Sequence, residues 1–212
     1  MRRSRVRVPH SAQVKQMDVA IVKYNAGNIF SVINAVKRLG IEPILTDKAE
    51  DLYKADKVIF PGQGEANTTM HYLRQRGLDK VICSLTQPVL GICIGMQLMC
   101  RHSDEYDTDC LGIYDIDVKR FQPMRHEDKV PQMGWNTIED CKSPLFKGFD
   151  RNEFVYFIHS FYAPLSEFTI AKTNYILPYS SALHKDNFYA TQFHPEKSGK
   201  VGERILQNFI EL

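Results

Sequence analysis

The sequence predicts an α/β protein of three layers, a mixed and mostly parallel sheet with helices on both faces. Three observations predict it. Short apolar runs rich in β-branched residues alternate with segments of helical period through the first half of the chain. Strand-like runs then follow one another at shorter spacing, which adds an antiparallel part to the same sheet. No Pro-, Gly- or Ser-rich linker interrupts residues 17–212, so they read as one domain.

The elements follow in order. Asp18–Lys23 (DVAIVK) is a buried strand, and Asn25, Gly27 and Asn28 make the turn after it. Ile29, Val32, Ile33, Val36 and Leu39 recur at helical period, and Gly40 ends that helix. Glu42–Thr46 and Lys57–Phe60 are strands, the second broken by Pro61-Gly62-Gln63-Gly64. Helices are expected over Glu65–Arg76 and Leu78–Leu85, then a strand over Pro88–Ile92, then a helix from Cys93 to about Arg101. Later strands are expected at Asp117–Phe121, Glu153–His159, Thr169–Thr173 and Phe188–Phe193, with a closing helix over Ser198–Ile210.

Composition narrows the function. The net charge of +2 comes from the first sixteen residues, which hold five basic and no acidic side chains. Without them, 22 basic residues face 25 acidic ones, a balance of −3, so no basic surplus points to nucleic acid. Residues 1–16 have no apolar core and are not a secretory signal; they read as a disordered or non-native extension upstream of Met17. No apolar run approaches the roughly 18 residues that span a bilayer. The five cysteines are odd in number, irregularly spaced and without a CxxC pair. That argues against a zinc site, and scattered thiols fit a reducing cytoplasm. No metal or cofactor is implied.

Chemistry concentrates in three places. Gly91-Ile92-Cys93-Ile94-Gly95 joins a strand to a helix, the cysteine form of a nucleophile elbow. Its glycines let the turn pack closely, the thiol stands above the sheet, and the Ile94 amide points at a developing oxyanion. The helix N-terminus behind Cys93 favours negative charge there. A buried structural cysteine is the bland alternative, and it suits Cys83, Cys100, Cys110 and Cys141. Near the C-terminus a strand delivers His194, with Pro195 and Glu196 after it. Thiol, imidazole and orienting carboxylate are the parts of a nucleophilic triad. Finally, Gly62, Gln63 and Gly64 follow a strand, and their backbone amides can supply a second oxyanion donor. An ordinary β–α turn is the alternative; the loop is too short for the phosphate-loop pattern, since no G-K-[ST] follows.

These three pieces in this order resemble the class I (triad) glutamine amidotransferase family, across almost all of Met17–Leu212. GICIGMQ at 91–97 together with FHPE at 193–196 is a specific pair. YNAGNIFSV at 24–32, PQMGWN at 131–136 and YFIHSFY at 156–162 resemble the branch that supplies a (β/α)8-barrel cyclase subunit. The resemblance implies a flavodoxin-like fold and hydrolysis of L-glutamine to glutamate and ammonia through a glutamyl thioester on Cys93. It implies that Gln97, Glu105 and the backbone of Ser160 and Phe161 hold the substrate. Ammonia would pass to the barrel subunit, which makes imidazole glycerol phosphate. Met133, Trp135, Tyr156 and Lys197 would meet that partner. Trp135 could instead be core, but Gly134 beside it suggests a turn, where a large aromatic is more often exposed. Tyr156 reads equally as an alternating strand residue, and Lys197 as solvated. No synthase domain is fused after FHPE, which implies a separate partner. A subunit of the same kind serving another synthase is the first alternative. A cysteine hydrolase or a non-catalytic relative is the second, opposed by Gln97 and the complete set Cys93, His194 and Glu196.

Overall fold

The computed structural model describes residues 17–24, 29–150 and 152–212. The expected extension over residues 1–16 and the turn at Asn25, Gly27 and Asn28 lie outside the described residues. In chain order the elements are β1 (Val19–Val22), α1 (Phe30–Arg38), β2 (Ile44–Thr46), α2 (Ala49–Lys54), β3 (Lys57–Phe60), α3 (Ala66–Gln75) and α4 (Leu78–Ser84). β4 (Val89–Ile92), α5 (Ile94–Met99), β5 (Cys100–Ser103), β6 (Thr108–Asp109) and β7 (Tyr114–Arg120) follow. The last third carries β8 (Gln132–Ile138), β9 (Glu153–His159), β10 (Phe161–Tyr162), β11 (Thr169–Asn174), β12 (Pro178–Lys185), β13 (Phe188–Thr191) and α6 (Gly199–Ile210).

The central sheet has seven strands in the order β11-β12-β13-β4-β3-β1-β2. From β2 to β13 every pairing is parallel; β12 and β11 add an antiparallel edge. Strands β1, β3, β4 and β13 are buried along their whole length. A parallel sheet covered on both faces needs such unbroken apolar runs. Because side chains alternate across a strand, the two faces gather different residues. Ala20, Val22, Val58 and Phe60 pack with Leu52, Met70, Leu73 and Ile82 of α2, α3 and α4. Val19, Ile21, Ile59 and Leu90 pack with Val32 and Val36 of α1 and with Ile205, Leu206 and Phe209 of α6. Among the described residues no helix is long and apolar enough to cross a membrane.

Several elements depart from expectation, each for a physical reason. One mixed sheet was expected, but the later strands also build two others, β10-β7-β5-β6 and β8-β9. The helix after Cys93 stops at Met99, because Cys100–Ser103 pairs with β7 instead of continuing the helix. α2 was not expected: six residues with a single buried apolar side chain, Leu52, show no period. β8 was missed because Gly134 reads as a turn. It sits in mid-strand at φ 134°, opposite Phe157. β12 was missed because it opens on Pro178, and a strand tolerates proline at its first residue.

The topology has one consequence for function. β13, β4 and β3 are adjacent and parallel, so the segments that leave their C-terminal ends emerge side by side. Those segments are residues 192–196, the turn at Cys93 and the loop 61–64. The carboxyl edge of a parallel sheet is where such folds hold ligands.

Candidate active site

Cys93 has φ 51° and ψ −107°, a conformation that L side chains rarely adopt. Strain of this kind costs about 1–3 kcal/mol and persists only where the surroundings over-determine it. Here the Cys93 N–H donates to the Thr191 carbonyl of β13 at 2.7 Å, and the Gln97 N–H closes the first turn of α5 on the Cys93 carbonyl at 3.2 Å. Gly95 completes the fit: a Cβ there would stand 2.3 Å from the Phe60 carbonyl oxygen. The Ile94 N–H, at the first position of α5, has no intrahelical acceptor.

His194 arrives from the end of β13, and its Nδ1 lies 2.7 Å from Glu196 Oε1. Both side chains are buried, at 3% and 1% exposure, so the pair is held in a dry setting. The other ring nitrogen, Nε2, is buried without a hydrogen-bond partner. Burial pulls the imidazole pKa down. The negative charge of Cys93 and then the Glu196 carboxylate outweigh it, and the pKa rises to about 10. The thiol is therefore close enough to His194 to act on its protonation. The loop is locked by Ser198, whose Oγ donates to the His194 carbonyl at 2.7 Å and accepts the Tyr156 N–H at 2.9 Å. The Tyr156 carbonyl in turn accepts the His194 N–H at 2.9 Å.

Cys93 and His194 border a cavity of about 550 Å³. Ile94, Gly62, Gln63, Gly64, Gln97, Glu105, Ser160, Phe161 and Lys197 line it as well, while Glu196 sits behind His194. Several of these groups are already engaged within the chain. The Gln63 N–H donates to Tyr24 Oη at 3.2 Å, and Tyr24 Oη donates to the Pro61 carbonyl at 2.6 Å. In this conformation the Gln63 amide thus faces Tyr24 and not the cavity, contrary to the expected oxyanion donor. Gln97 Nε2 donates to the Phe161 carbonyl at 2.9 Å and to Gln192 Oε1 at 3.0 Å, so it braces the 160–161 segment. Glu105 Oε2 accepts the Ala66 N–H at the start of α3, at 2.7 Å.

Of the expected interface residues, Lys197 lines the same cavity as Cys93, while Met133, Trp135 and Tyr156 do not. Trp135 and Tyr156 are opposite each other on β8 and β9, ring centroids 6.1 Å apart in an edge contact. Met133 and Trp135 are 63% and 57% exposed, and Phe154 on the same hairpin is 59% exposed. The exposure of Trp135 was expected from a turn at Gly134; it comes instead from strand alternation. Gln192 and Tyr24 were not foreseen. Gln192 is fully buried, and its Nε2 approaches Cys93 Sγ at 3.7 Å. A glutamine shortly before the strand-end histidine was the available signal.

Comparison with known proteins gives concordant matches. The family model for class-I glutamine amidotransferase matches residues 20–212. A Bacteroides fragilis (strain YCH46) protein named imidazole glycerol phosphate synthase subunit HisH is 67% identical over 196 residues, covering 92% of this chain and 100% of that protein. A protein of the same name from Pectobacterium atrosepticum is 44% identical over 198 residues, with the same coverage of 92% and 100%. Among solved structures, one of a glutamine amidotransferase superposes with TM-score 0.70 at 23% identity, covering 91% of this chain and 97% of that one. That last likeness shows the fold alone.

Proposed function

The chain belongs to the class-I glutamine amidotransferase family, and from that premise we infer that it is the glutaminase subunit of imidazole glycerol phosphate synthase. The observation that carries the chemistry is the buried His194–Glu196 pair, its imidazole under the influence of the Cys93 thiol on a strained elbow. Cys93, as thiolate, attacks the side-chain amide carbon of glutamine. The carbonyl oxygen takes the charge and accepts the Ile94 N–H. Imidazolium at His194 gives its proton to the departing nitrogen, the C–N bond breaks, and ammonia leaves a glutamyl thioester. Water then attacks the thioester while His194 takes the proton. Glutamate departs, and the thiolate and imidazolium are restored. Glu196 keeps the ring in the tautomer and orientation both steps need. With its pKa near 10, His194 stays protonated at neutral pH while the thiolate is present, ready to serve as acid.

Ammonia goes to a (β/α)8-barrel cyclase subunit docked on the β8–β9 face. Exposed Met133, Trp135 and Phe154 support this, since a contiguous apolar face is costly to leave in water. The Tyr156 backbone, bonded to His194 and Ser198, links that face to the site. Lys197, exposed and at the cavity wall, belongs to its rim. The free cysteines support a cytoplasmic setting.

The test is glutamate release by the purified chain, alone and with the barrel subunit and its nucleotide. Stimulation by the liganded barrel is expected; full activity indifferent to it would redirect the search to another acceptor. Trp135→Ala should weaken the complex by about 2 kcal/mol, roughly thirtyfold in Kd, as loss of an aromatic anchor does. Titration calorimetry checks this, and an unchanged Kd would remove Trp135 from the interface.

A further inference from the structure

A chain of buried hydrogen bonds runs from the β8–β9 face to the cavity. Gln132, the first residue of β8, is 3% exposed, next to exposed Met133. Tyr179 Oη lies 2.9 Å from Gln132 Oε1 and 3.3 Å from His159 Nε2. His159 Nδ1 lies 2.7 Å from the Phe161 carbonyl oxygen, the same oxygen that accepts from Gln97. Gln97 continues to Gln192, and Gln192 to Cys93.

Counting protons shows that this chain has two arrangements. A carbonyl only accepts, so His159 Nδ1 carries the proton. Burial above all, with the charge of His194, pushes the His159 pKa down to about 4 against the opposing Phe161 carbonyl. The ring is therefore neutral, and Nε2 is a bare acceptor. Burial raises the Tyr179 pKa well above its ordinary value, so the hydroxyl keeps its one proton. Gln132 Oε1 and His159 Nε2 both compete for that proton, which serves one at a time, beside the Thr173 hydroxyl that also meets the Tyr179 oxygen. The ring itself is gripped by Phe121, Phe157 and Tyr162, with centroids 5.5, 6.2 and 6.1 Å away. Rotation of the hydroxyl is the freedom left to it.

We propose that Tyr179 is a positioning residue that couples the partner-facing strand β8 to the cavity: its O–H bonds Gln132 in the free chain and turns to His159 when docking withdraws the Gln132 oxygen. Bonded at both nitrogens, His159 then fixes the Phe161 carbonyl against which Gln97 is braced. The proposal rests on the reading that a synthase subunit docks on β8–β9. It identifies a physical element with two states that both sites can bias, which coupling requires.

The experiment measures glutamate release for wild type, Tyr179→Phe and Gln132→Met, each alone and with saturating liganded barrel subunit, alongside melting temperatures. Tyr179→Phe should keep its partner-free rate within about twofold and lose about tenfold of the stimulation. Gln132→Met removes the competing amide oxygen and frees the hydroxyl for His159, so it should work faster alone, by about threefold or more, with a smaller gain on docking. The opposite directions are the signature, since a merely structural role would slow both variants, free and docked alike, in step with lost thermal stability. Tyr179→Phe stimulated as strongly as wild type, or Gln132→Met no faster alone, overturns the proposal. A wild-type chain that the barrel does not stimulate overturns the docking reading instead.

Discussion

Cys93→Ala should lower glutamate release by about a million-fold, the loss seen when the nucleophile of a comparable triad is removed. The fold should survive. Alanine adopts φ 51° at much the same cost as cysteine and adds no atom to the turn. Besides its influence on His194, the sulfur gives up two weak contacts, with the Ile158 carbonyl and with Gln192 Nε2, each at 3.7 Å. What changes is His194. With the thiolate gone, the largest influence raising its pKa is lost, and burial, which lowers it, gains weight. The imidazole pKa should fall from about 10, a shift that NMR titration of the ring would follow. His194→Ala should cost about as much activity, and the double variant little more, because groups that act as a unit are not additive. Glutamate release by Cys93→Ala at a hundredth of the parent rate would sink the thioester route.

The parts of this site that were legible in the sequence are the ones that break a strand. Pro61-Gly62, Cys93 between Gly91 and Gly95, and His194-Pro195 each end a buried apolar run, so their positions along the chain locate them at strand ends. Their convergence depends on the strand order β13-β4-β3, which places residue 194 beside residue 93 although about half the chain lies between them. The alternating elements of the first half pointed to that order only as a class of fold. What was not legible is polar and buried. Tyr24, His159, Tyr179 and Gln192 occupy apolar-looking positions, and each owes its role to a hydrogen-bond partner far away in sequence. Residue type alone does not announce such partners. Local rules also misled at Gly134, where tertiary pairing kept a strand through a residue that usually ends one, and at Pro178, which opens a strand.

Gly62→Ala should damage stability and catalysis together, and the packing of the two loops explains why. A Cβ at residue 62 would meet the Ile92 carbonyl oxygen at 1.8 Å, its carbon at 2.6 Å and Cys93 Cβ at 2.8 Å. These are backbone atoms and the root of the nucleophile's own side chain, so no rotamer change relieves the clash. The elbow cannot retreat either, because the Cys93 N–H is tied at 2.7 Å to the Thr191 carbonyl of β13 behind it, and β4 is paired with β13 along its length. The loop 61–64 must therefore lift away from Cys93. Overpacking of this kind costs about 3 kcal/mol, which for a chain of this size lowers Tm by about 10 °C. Below that Tm the folded variant should still turn over glutamine about a hundredfold or more slowly, as displaced oxyanion donors cost roughly 10² to 10³. Gln63→Ala is the contrast. Loss of the residue 63 side chain leaves its N–H and the bond from it to Tyr24 in place, so turnover should stay within about threefold of the parent. A Gly62→Ala protein that melts with the parent and keeps its rate would mean that the loop and the elbow are not in contact as the structure has them.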